Sequence, residues 1–211
     1  LVLAMVMAMS LMVTANAATK SSKFPDENID PQLVEAVDVL AGLEVFKGQN
    51  TTGAADAKAT FAPKEEITRK EVAALIYRVF STDVKDTKIH LYKDYANFSD
   101  VNSESWYAGY VGLCANHNII KGSNNGRFYP DNKVTGYEVL AMILRVVGYD
   151  EEGEFTGSGW QTRVASKAAL LHITDNLNTT NYAGTLNQPA TREVVAELIF
   201  QTMVRVPQVT H

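Results

Sequence analysis

Residues 98–147 read FSDVNSESWYAGYVGLCANHNIIKGSNNGRFYPDNKVTGYEVLAMILRVV, and this stretch decides the fold. Apolar residues recur at helical spacing in its first half and again at its end. A turn signal at 124–126 separates the two halves. The stretch therefore predicts two helices joined by a loop.

Weaker copies of this pattern lie before and after it. An offset of 74 residues places Phe24 on Phe98, and an offset of 54 residues places Trp160 on Trp106. The start of the second helix recurs as Thr68-Arg-Lys-Glu71, Thr135-Gly-Tyr-Glu138 and Thr191-Arg-Glu-Val194. Ungapped matches of this kind indicate three copies of one helical unit.

Each second helix begins with a capping threonine. Thr68 with Glu71 and Thr135 with Glu138 are capping boxes, in which each side chain satisfies a backbone N–H at the helix start. Thr191 has Val194 in place of the glutamate. We expect the third cap to be weaker by a few tenths to about 1 kcal/mol.

Behind the caps run apolar stripes that one copy alone cannot bury. The stripes are Val72, Leu75, Ile76 and Val79; Val139, Met142, Ile143 and Val146; and Val195, Leu198, Ile199 and Met203. They predict an all-α fold, in which three helix–loop–helix repeats form a pseudo-threefold assembly around a central three-helix bundle. Neighbouring repeats would enclose clefts.

The domain boundaries follow from the repeat. Copy one comprises residues 18–82, copy two 96–149 and the degenerate copy three 150–206, and a polar linker at 83–95 joins the first two. Residues 207–211 are expected to begin a downstream region.

The first residues have the properties of an export signal. The apolar run at 1–13 is too short for a permanent membrane span, and Ala15-Asn16-Ala17 has the spacing that signal peptidase recognises. We expect a signal peptide at 1–17, removed after Ala17, with no membrane insertion afterwards. No initiator methionine precedes the run, so the true start is expected upstream.

Composition excludes several partner classes. A net charge of −5 and a pI near 5.4 disfavour nucleic acid as a partner. The single Cys114 reads as a core residue, because apolar residues occupy its place in the other copies. The four histidines are scattered and no phosphate-binding loop is present, so we expect neither metal nor cofactor. The sequence does not specify an oligomeric state.

Two residue patterns suggest a site for an acidic sugar. Arg69 and Arg192 directly follow a cap threonine, where a guanidinium and the positive end of a helix together favour a carboxylate. Trp106 follows Asp100 and Trp160 follows Glu154, and an exposed indole beside a carboxylate is a common sugar platform.

The motifs Phe-x-Asp, Trp, Ile-Ile-x-Gly, Phe-x-Pro and Thr-Arg-x-Glu, in this order, resemble the S-layer homology family. Triple repeats of that family hold bacterial surface proteins to the cell wall. The resemblance implies a location at the cell wall or S-layer. It also implies binding to secondary cell-wall polysaccharide, whose terminal sugar commonly carries a ketal-linked pyruvate.

The resemblance also implies the site residues. The binding arginine, aspartate, tryptophan and glycine of the family correspond to Arg69, Asp100, Trp106 and Gly122. We expect these four to meet in the cleft between copies one and two.

The other two clefts depart from this pattern. Trp160 would face Gly136, which has no side chain, so the second cleft is expected to be weak or inactive. The third would combine Arg192, Asp26 and Gly48 without a tryptophan, because copy one has Gln32 at that position.

Two other functions and several structural roles compete with this interpretation. A glycosidase would use Asp100 with Glu104, or Glu138 with Glu193, as its paired carboxylates. A protein–protein scaffold could use the same triplet. Structurally, Trp106 could pack beneath its helix, Arg69 could pair with Glu65 or Glu66 on the surface, and Asp100 could cap a short helix. We expect a non-enzymatic attachment module.

Overall fold

The computed structural model describes residues 21–25, 28–49, 59–81, 83–150, 152–177 and 184–206. The expected signal peptide at 1–17, Asp26 and the segment 207–211 lie outside these ranges.

Six α-helices form within the described ranges, two in each copy. They are α1 (Val34–Gly42), α2 (Arg69–Ser81), α3 (Ala108–Asn116), α4 (Gly136–Val146), α5 (Trp160–Leu170) and α6 (Arg192–Arg205). Three 3₁₀ helices accompany them, at Ile89–Tyr95, Asp175–Leu177 and Thr185–Asn187. Extended pairing in the described ranges is limited to isolated bridges, so the prediction of an all-α fold is confirmed. None of the described helices has the length and apolar character needed to cross a bilayer.

The three second helices start in different ways. At α4 the full capping box forms: the Glu138 N–H donates to Thr135 Oγ1 over 3.3 Å, and the Thr135 N–H donates to Glu138 Oε2 over 2.9 Å. At α2 the Glu71 carboxylate accepts from both the N–H and the hydroxyl of Thr68. At α6 the hydroxyl of Thr191 is buried and has no hydrogen-bond partner among the described residues.

A cycle of backbone hydrogen bonds joins the residues that precede these caps. The Ile67 N–H donates to the Ala190 carbonyl (3.0 Å), Ala190 to Val134 (2.8 Å), and Val134 back to Ile67 (3.2 Å). All three residues are buried, so these polar groups need partners inside the protein. The cycle therefore fixes the starts of α2, α4 and α6 against one another.

The first helix of each copy packs on the second helix of the copy before it. Thus α3 packs on α2, α5 packs on α4, and α1 closes the series by packing on α6. The helices α2, α4 and α6 also line one small apolar cavity, through Ile76, Val79, Ile143, Val146, Ile199 and Met203, among others. These contacts support the pseudo-threefold arrangement, which as a symmetry of the whole assembly stays a prediction.

The segment expected to be a polar linker is folded onto copy two. The 3₁₀ helix Ile89–Tyr95 packs on α3, where two glycines allow close approach. A Cβ added to Gly109 would lie 2.1 Å from the Ile89 carbonyl oxygen, and one added to Gly112 would lie 1.8 Å from that of Tyr92. The connection is thus an integral part of the fold.

Copies one and two each contain a group of three ionic side chains that the sequence analysis missed. In copy two, Arg145 Nε donates to Asp150 over 2.6 Å and Lys121 Nζ donates to the same carboxylate over 2.9 Å. Arg145 also binds the Ile119 carbonyl, at 3.2 Å. The group therefore ties the end of α4 to the segment that follows α3.

The equivalent group in copy one has the same connections. Asp86 accepts from Arg78 and from Lys47, the latter over 2.6 Å. Arg78 also binds the Val45 carbonyl over 3.1 Å. In copy three, Gln201 occupies the place of the arginine.

Replacing Gly112 by alanine tests the packing of the 3₁₀ helix. We expect Gly112→Ala to lower the free energy of unfolding by about 3 kcal/mol, because the new methyl group would overlap a backbone oxygen. Urea denaturation followed by circular dichroism measures this change. The control is Gly42→Ala, since a Cβ there meets only the end of Lys23 at 3.9 Å. Equal stability of the two variants would contradict the described packing.

Replacing Asp150 by asparagine tests the ionic group. We expect Asp150→Asn to lower the free energy of unfolding by about 3 kcal/mol at neutral pH, because it leaves two cations without their buried counter-ion. Asp131→Asn is the control, because that exposed carboxylate forms a surface ion pair with Lys70 and should contribute less than about 1 kcal/mol.

The same variant changes the response to acid. Burial raises the pKa of Asp150, but hydrogen bonds from the Phe155 N–H, Arg145 and Lys121 outweigh it and hold the pKa below its usual value. A carboxylate whose pKa is lowered by folding stabilises the fold above the unfolded pKa of about 3.9, and this contribution is lost as the pH falls further. The wild type should therefore lose more stability than Asp150→Asn between neutral pH and about pH 3. Parallel losses would contradict this role.

Candidate functional site

Two clefts of equivalent construction open between the copies. The larger one, which we call the Trp160 cleft, has a volume of about 370 Å³. Its walls combine residues of all three copies, among them Arg69, Lys121, Gly122, Ser123, Glu138, Arg145 and Trp160. The smaller one, the Trp106 cleft, has a volume of about 160 Å³ and includes Lys47, Gln49, Glu71, Arg78, Trp106 and Arg192.

Arg69 is the first residue of α2, and its side chain lines the Trp160 cleft. The Arg69 N–H donates to the Asn132 carbonyl over 3.0 Å, and the Lys70 N–H donates to Pro130 over 3.1 Å. The first turn of a copy-one helix is therefore held by the loop of copy two. The side chain extends from there between that loop and the capping glutamate of α4.

Arg69 is anchored through only part of its guanidinium. Its Nε donates to the Phe128 carbonyl over 2.8 Å and its Nη1 donates to Glu138 over 2.9 Å, with the Phe128 ring 5.0 Å from the guanidinium carbon. Its Nη2 has no hydrogen bond to any residue that the structure describes. The side chain is 13% exposed. A buried guanidinium with a donor to spare favours an anion.

The electrostatics of the cleft agree with this. Burial lowers the pKa of Arg69 and the nearby Glu138 and Asp100 raise it, but an arginine stays protonated in proteins. The other two cations, Lys121 and Arg145, share the single carboxylate of Asp150. Within the described ranges, no group of three His, Cys, Asp or Glu side chains is placed to hold a metal ion.

Trp160 and Gly122 line the same cleft. Trp160 begins α5 and is half-buried. Gly122 has a φ of 67°, and a Cβ there would lie 2.4 Å from the ring of Phe98. The fold therefore favours glycine at this position, in addition to the access to the backbone that a glycine gives a ligand. Glu154, expected beside Trp160, instead accepts from the Asp150 N–H over 3.3 Å.

The Trp106 cleft repeats the arrangement with Arg192. Its Nε donates to the Phe61 carbonyl over 2.6 Å, and its guanidinium carbon lies 5.3 Å from the rings of both Phe46 and Phe61. Trp106 is 55% exposed and meets Tyr110 edge-on at 5.9 Å, so it does not pack beneath its helix.

One side chain distinguishes the two clefts. With its amide oriented to satisfy both neighbours, Gln49 accepts from Arg192 Nη1 over 2.9 Å and donates to Glu65 over 3.1 Å. Ser123 holds the equivalent position in the Trp160 cleft, and its hydroxyl bonds instead to Asn125 and the Arg127 carbonyl. Gln49 therefore fills space that remains open in the Trp160 cleft and accepts from one donor of Arg192.

Asp100 does not line the Trp160 cleft but bonds to the loop beside it. Its two carboxylate oxygens accept from the Phe128 and Tyr129 N–H groups, each over 2.8 Å. Burial raises the pKa of Asp100, but these two hydrogen bonds outweigh it and lower the pKa below its usual value. Because the Phe128 carbonyl receives Arg69, Asp100 fixes the loop that positions the guanidinium.

The third junction lacks both the arginine and the indole. Gly136 stands at the arginine position, and a Cβ there would lie 2.8 Å from the Leu186 backbone. Asn176 and Gln201, in place of a glycine and an arginine, both donate to the carboxylate of buried Glu197. Burial raises the pKa of Glu197. A packed polar network replaces the open cleft here.

The structure regroups the residues predicted from the sequence. Arg69 lines a cleft with Gly122 and Trp160, whereas Trp106 lines the cleft of Arg192. The predicted meeting of Arg69 with Trp106 is therefore not found, and the cleft of Trp160 does contain an arginine. The reason is that Arg69 bonds to the loop of copy two, as expected, but the indole that lines its cleft comes from copy three.

Of the remaining predicted residues, Gly48 packs against Ala59 and Phe24, with contacts of 2.5 and 2.8 Å to an added Cβ. Sequence reasoning missed Lys121, Arg145 and Gln49. A signal was present for the first two, because Lys47 and Arg78 stand at the equivalent positions of copy one.

A family model and several known proteins match this chain. Residues 97–140 match the S-layer homology domain. The chain is 28% identical to the middle cell wall protein of Brevibacillus brevis over 184 residues. This alignment covers 87% of this chain and 16% of that protein. It is 29% identical over 180 residues to the surface layer protein of Brevibacillus choshinensis, covering 85% and 15%.

A third relative is the amylopullulanase of Thermoanaerobacterium thermosulfurigenes, which is 27% identical over an alignment of 179 residues. The alignment covers 79% of this chain and 9% of that protein. The chain thus spans a small part of each of these relatives. The segment that matches the S-layer homology domain, residues 97–140, lies in the stretch whose motifs carried the resemblance seen in the sequence.

Proposed function

We propose that this chain anchors a protein to the bacterial cell surface by binding an acidic cell-wall polysaccharide. The family match and the names of the relatives support cell-surface anchoring at the cell wall or S-layer. The observation that carries the ligand class is the Arg69 guanidinium, which lies in a cleft with Trp160 and keeps one nitrogen available.

The chemistry of the cleft favours a sugar that bears a carboxylate. A guanidinium donor makes a charge-assisted hydrogen bond to a carboxylate, and the indole offers an apolar face to a pyranose ring. A terminal sugar with a ketal-linked pyruvate combines both features. Glu138 orients Arg69 and compensates part of its charge, so the cleft suits a singly charged group.

The same lining argues against hydrolysis. A glycosidase places two carboxylates on either side of the bond that it breaks. Among the described residues that line the Trp160 cleft, Glu138 is the one carboxylate, and it is bonded to Arg69 and Thr135. We therefore propose a non-catalytic module, whatever the activity of the protein to which it belongs.

The principal test is binding to purified wall polysaccharide by isothermal titration calorimetry. We expect Arg69→Ala to weaken binding about 10- to 100-fold, the effect of one to two charge-assisted hydrogen bonds. Arg127→Ala is the matched control, since this exposed arginine of copy two lies outside both clefts. Mild acid removal of ketal-linked pyruvate should reduce wild-type binding to the level of Arg69→Ala. Undiminished binding in both experiments would refute the proposal.

A reciprocal exchange tests the difference between the clefts. We expect Gln49→Ser to strengthen binding in the Trp106 cleft about tenfold, because it removes from the opening a side chain that competes with the ligand for Arg192. Ser123→Gln should weaken the Trp160 cleft by a similar factor, and Ser123→Ala is its control. Calorimetric stoichiometry distinguishes the two sites. Identical isotherms for wild type and both glutamine–serine variants would show that this position does not set the affinity.

A further inference from the structure

A second pocket adjoins the Trp160 cleft. It has a volume of about 330 Å³ and shares Ile120 and Lys121 with the cleft. Its polar lining comes from Tyr95, Asn97, Asn116 and Asn118, and we call it the asparagine pocket. The volume lies in the range of small-molecule sites.

The lining is rich in uncharged hydrogen-bonding groups. The three asparagines are exposed, and within the part of the chain that the structure describes their amides form no side-chain hydrogen bond. Each amide can donate twice and accept twice. Tyr95 is 48% exposed, which adds an aromatic face with a hydroxyl.

Most of the groups that line this pocket are uncharged. Lys121 is its one charged lining residue among those described, and its ammonium group is 2.9 Å from the fully buried carboxylate of Asp150. Because amides and a phenol make up the rest of its polar lining, the pocket suits an uncharged ligand with several hydroxyl or amide groups.

The fold itself does not require asparagine at these positions, because the other copies use different residues. Lys23, Gly42 and Glu44 occupy the three equivalent places in copy one, and copy three has Leu170 and His172 at two of them. The positive φ of 56° at Asn118 is no reason either, since Glu44 and His172 both adopt 59°. The fold therefore leaves these three positions available for side chains that serve another role.

We propose that the asparagine pocket is a subsite for an uncharged sugar of the same polysaccharide chain whose acidic sugar occupies the Trp160 cleft. This inference rests on the proposed function. A polysaccharide is a continuous chain, so a ligand fixed at Arg69 can extend over the shared Ile120–Lys121 segment into the neighbouring pocket. The subsite would make affinity depend on chain length.

The test compares two fragments released from purified wall polysaccharide: the terminal acidic monosaccharide and an oligosaccharide several sugars long. Calorimetry on the wild-type chain should show the longer fragment binding at least about tenfold more tightly, from two or more added hydrogen bonds. The variants are Asn97→Lys, Asn116→Gly and Asn118→His, singly and combined. Each introduces the residue that the same fold carries at the equivalent position of another copy. Asn102→Ala, at an exposed asparagine outside the pocket, is the control.

We expect the combined variant to lose the gain from chain length and to bind the monosaccharide as the wild type does. Equal affinity of the wild type for both fragments, or an unchanged gain in the combined variant, would overturn the subsite and leave the acidic-sugar site intact. Failure of the monosaccharide to bind, or its indifference to Arg69→Ala, would instead overturn the proposed function and the subsite with it.

Discussion

The cycle of hydrogen bonds through Ile67, Val134 and Ala190 is the constraint on which the rest of the structure depends. It joins three buried backbone segments that have no other regular pairing in the described ranges. Each segment leads directly into a capping threonine, so the cycle also sets where the three second helices begin. The guanidinium groups at two of those helix starts are thereby directed into clefts, and the site follows from a main-chain feature.

Much of this architecture could be predicted because it depends on local patterns in the sequence. The offsets between copies, the capping threonines and the apolar stripes depend on neighbours a few residues apart, and the helices form close to where these patterns place them. The partner of each arginine could not be predicted in the same way. An offset shows that Trp106 and Trp160 are equivalent, but not which of them lies beside Arg69.

That choice depends on how the copies pair in space. Arg69 is bonded to Asn132 and Phe128 of copy two, and those contacts involve main-chain carbonyls that carry no residue signature. The ionic groups escaped notice for a related reason. Asp86 and Asp150 lie in connections of unequal length after the second helix, so a constant offset does not align them although their partners Arg78 and Arg145 do align.

The closed order of packing, in which α1 completes the series by resting on α6, has a consequence for size and cooperativity. Solenoid repeats stack in an open line, which can lengthen and needs special capping units at both ends. In the described copies the series closes instead, since each first helix packs on the second helix of another copy. Separating one pair of neighbouring copies removes support from the other two pairs. The three repeats of the chain should therefore behave as a single folding unit of limited size.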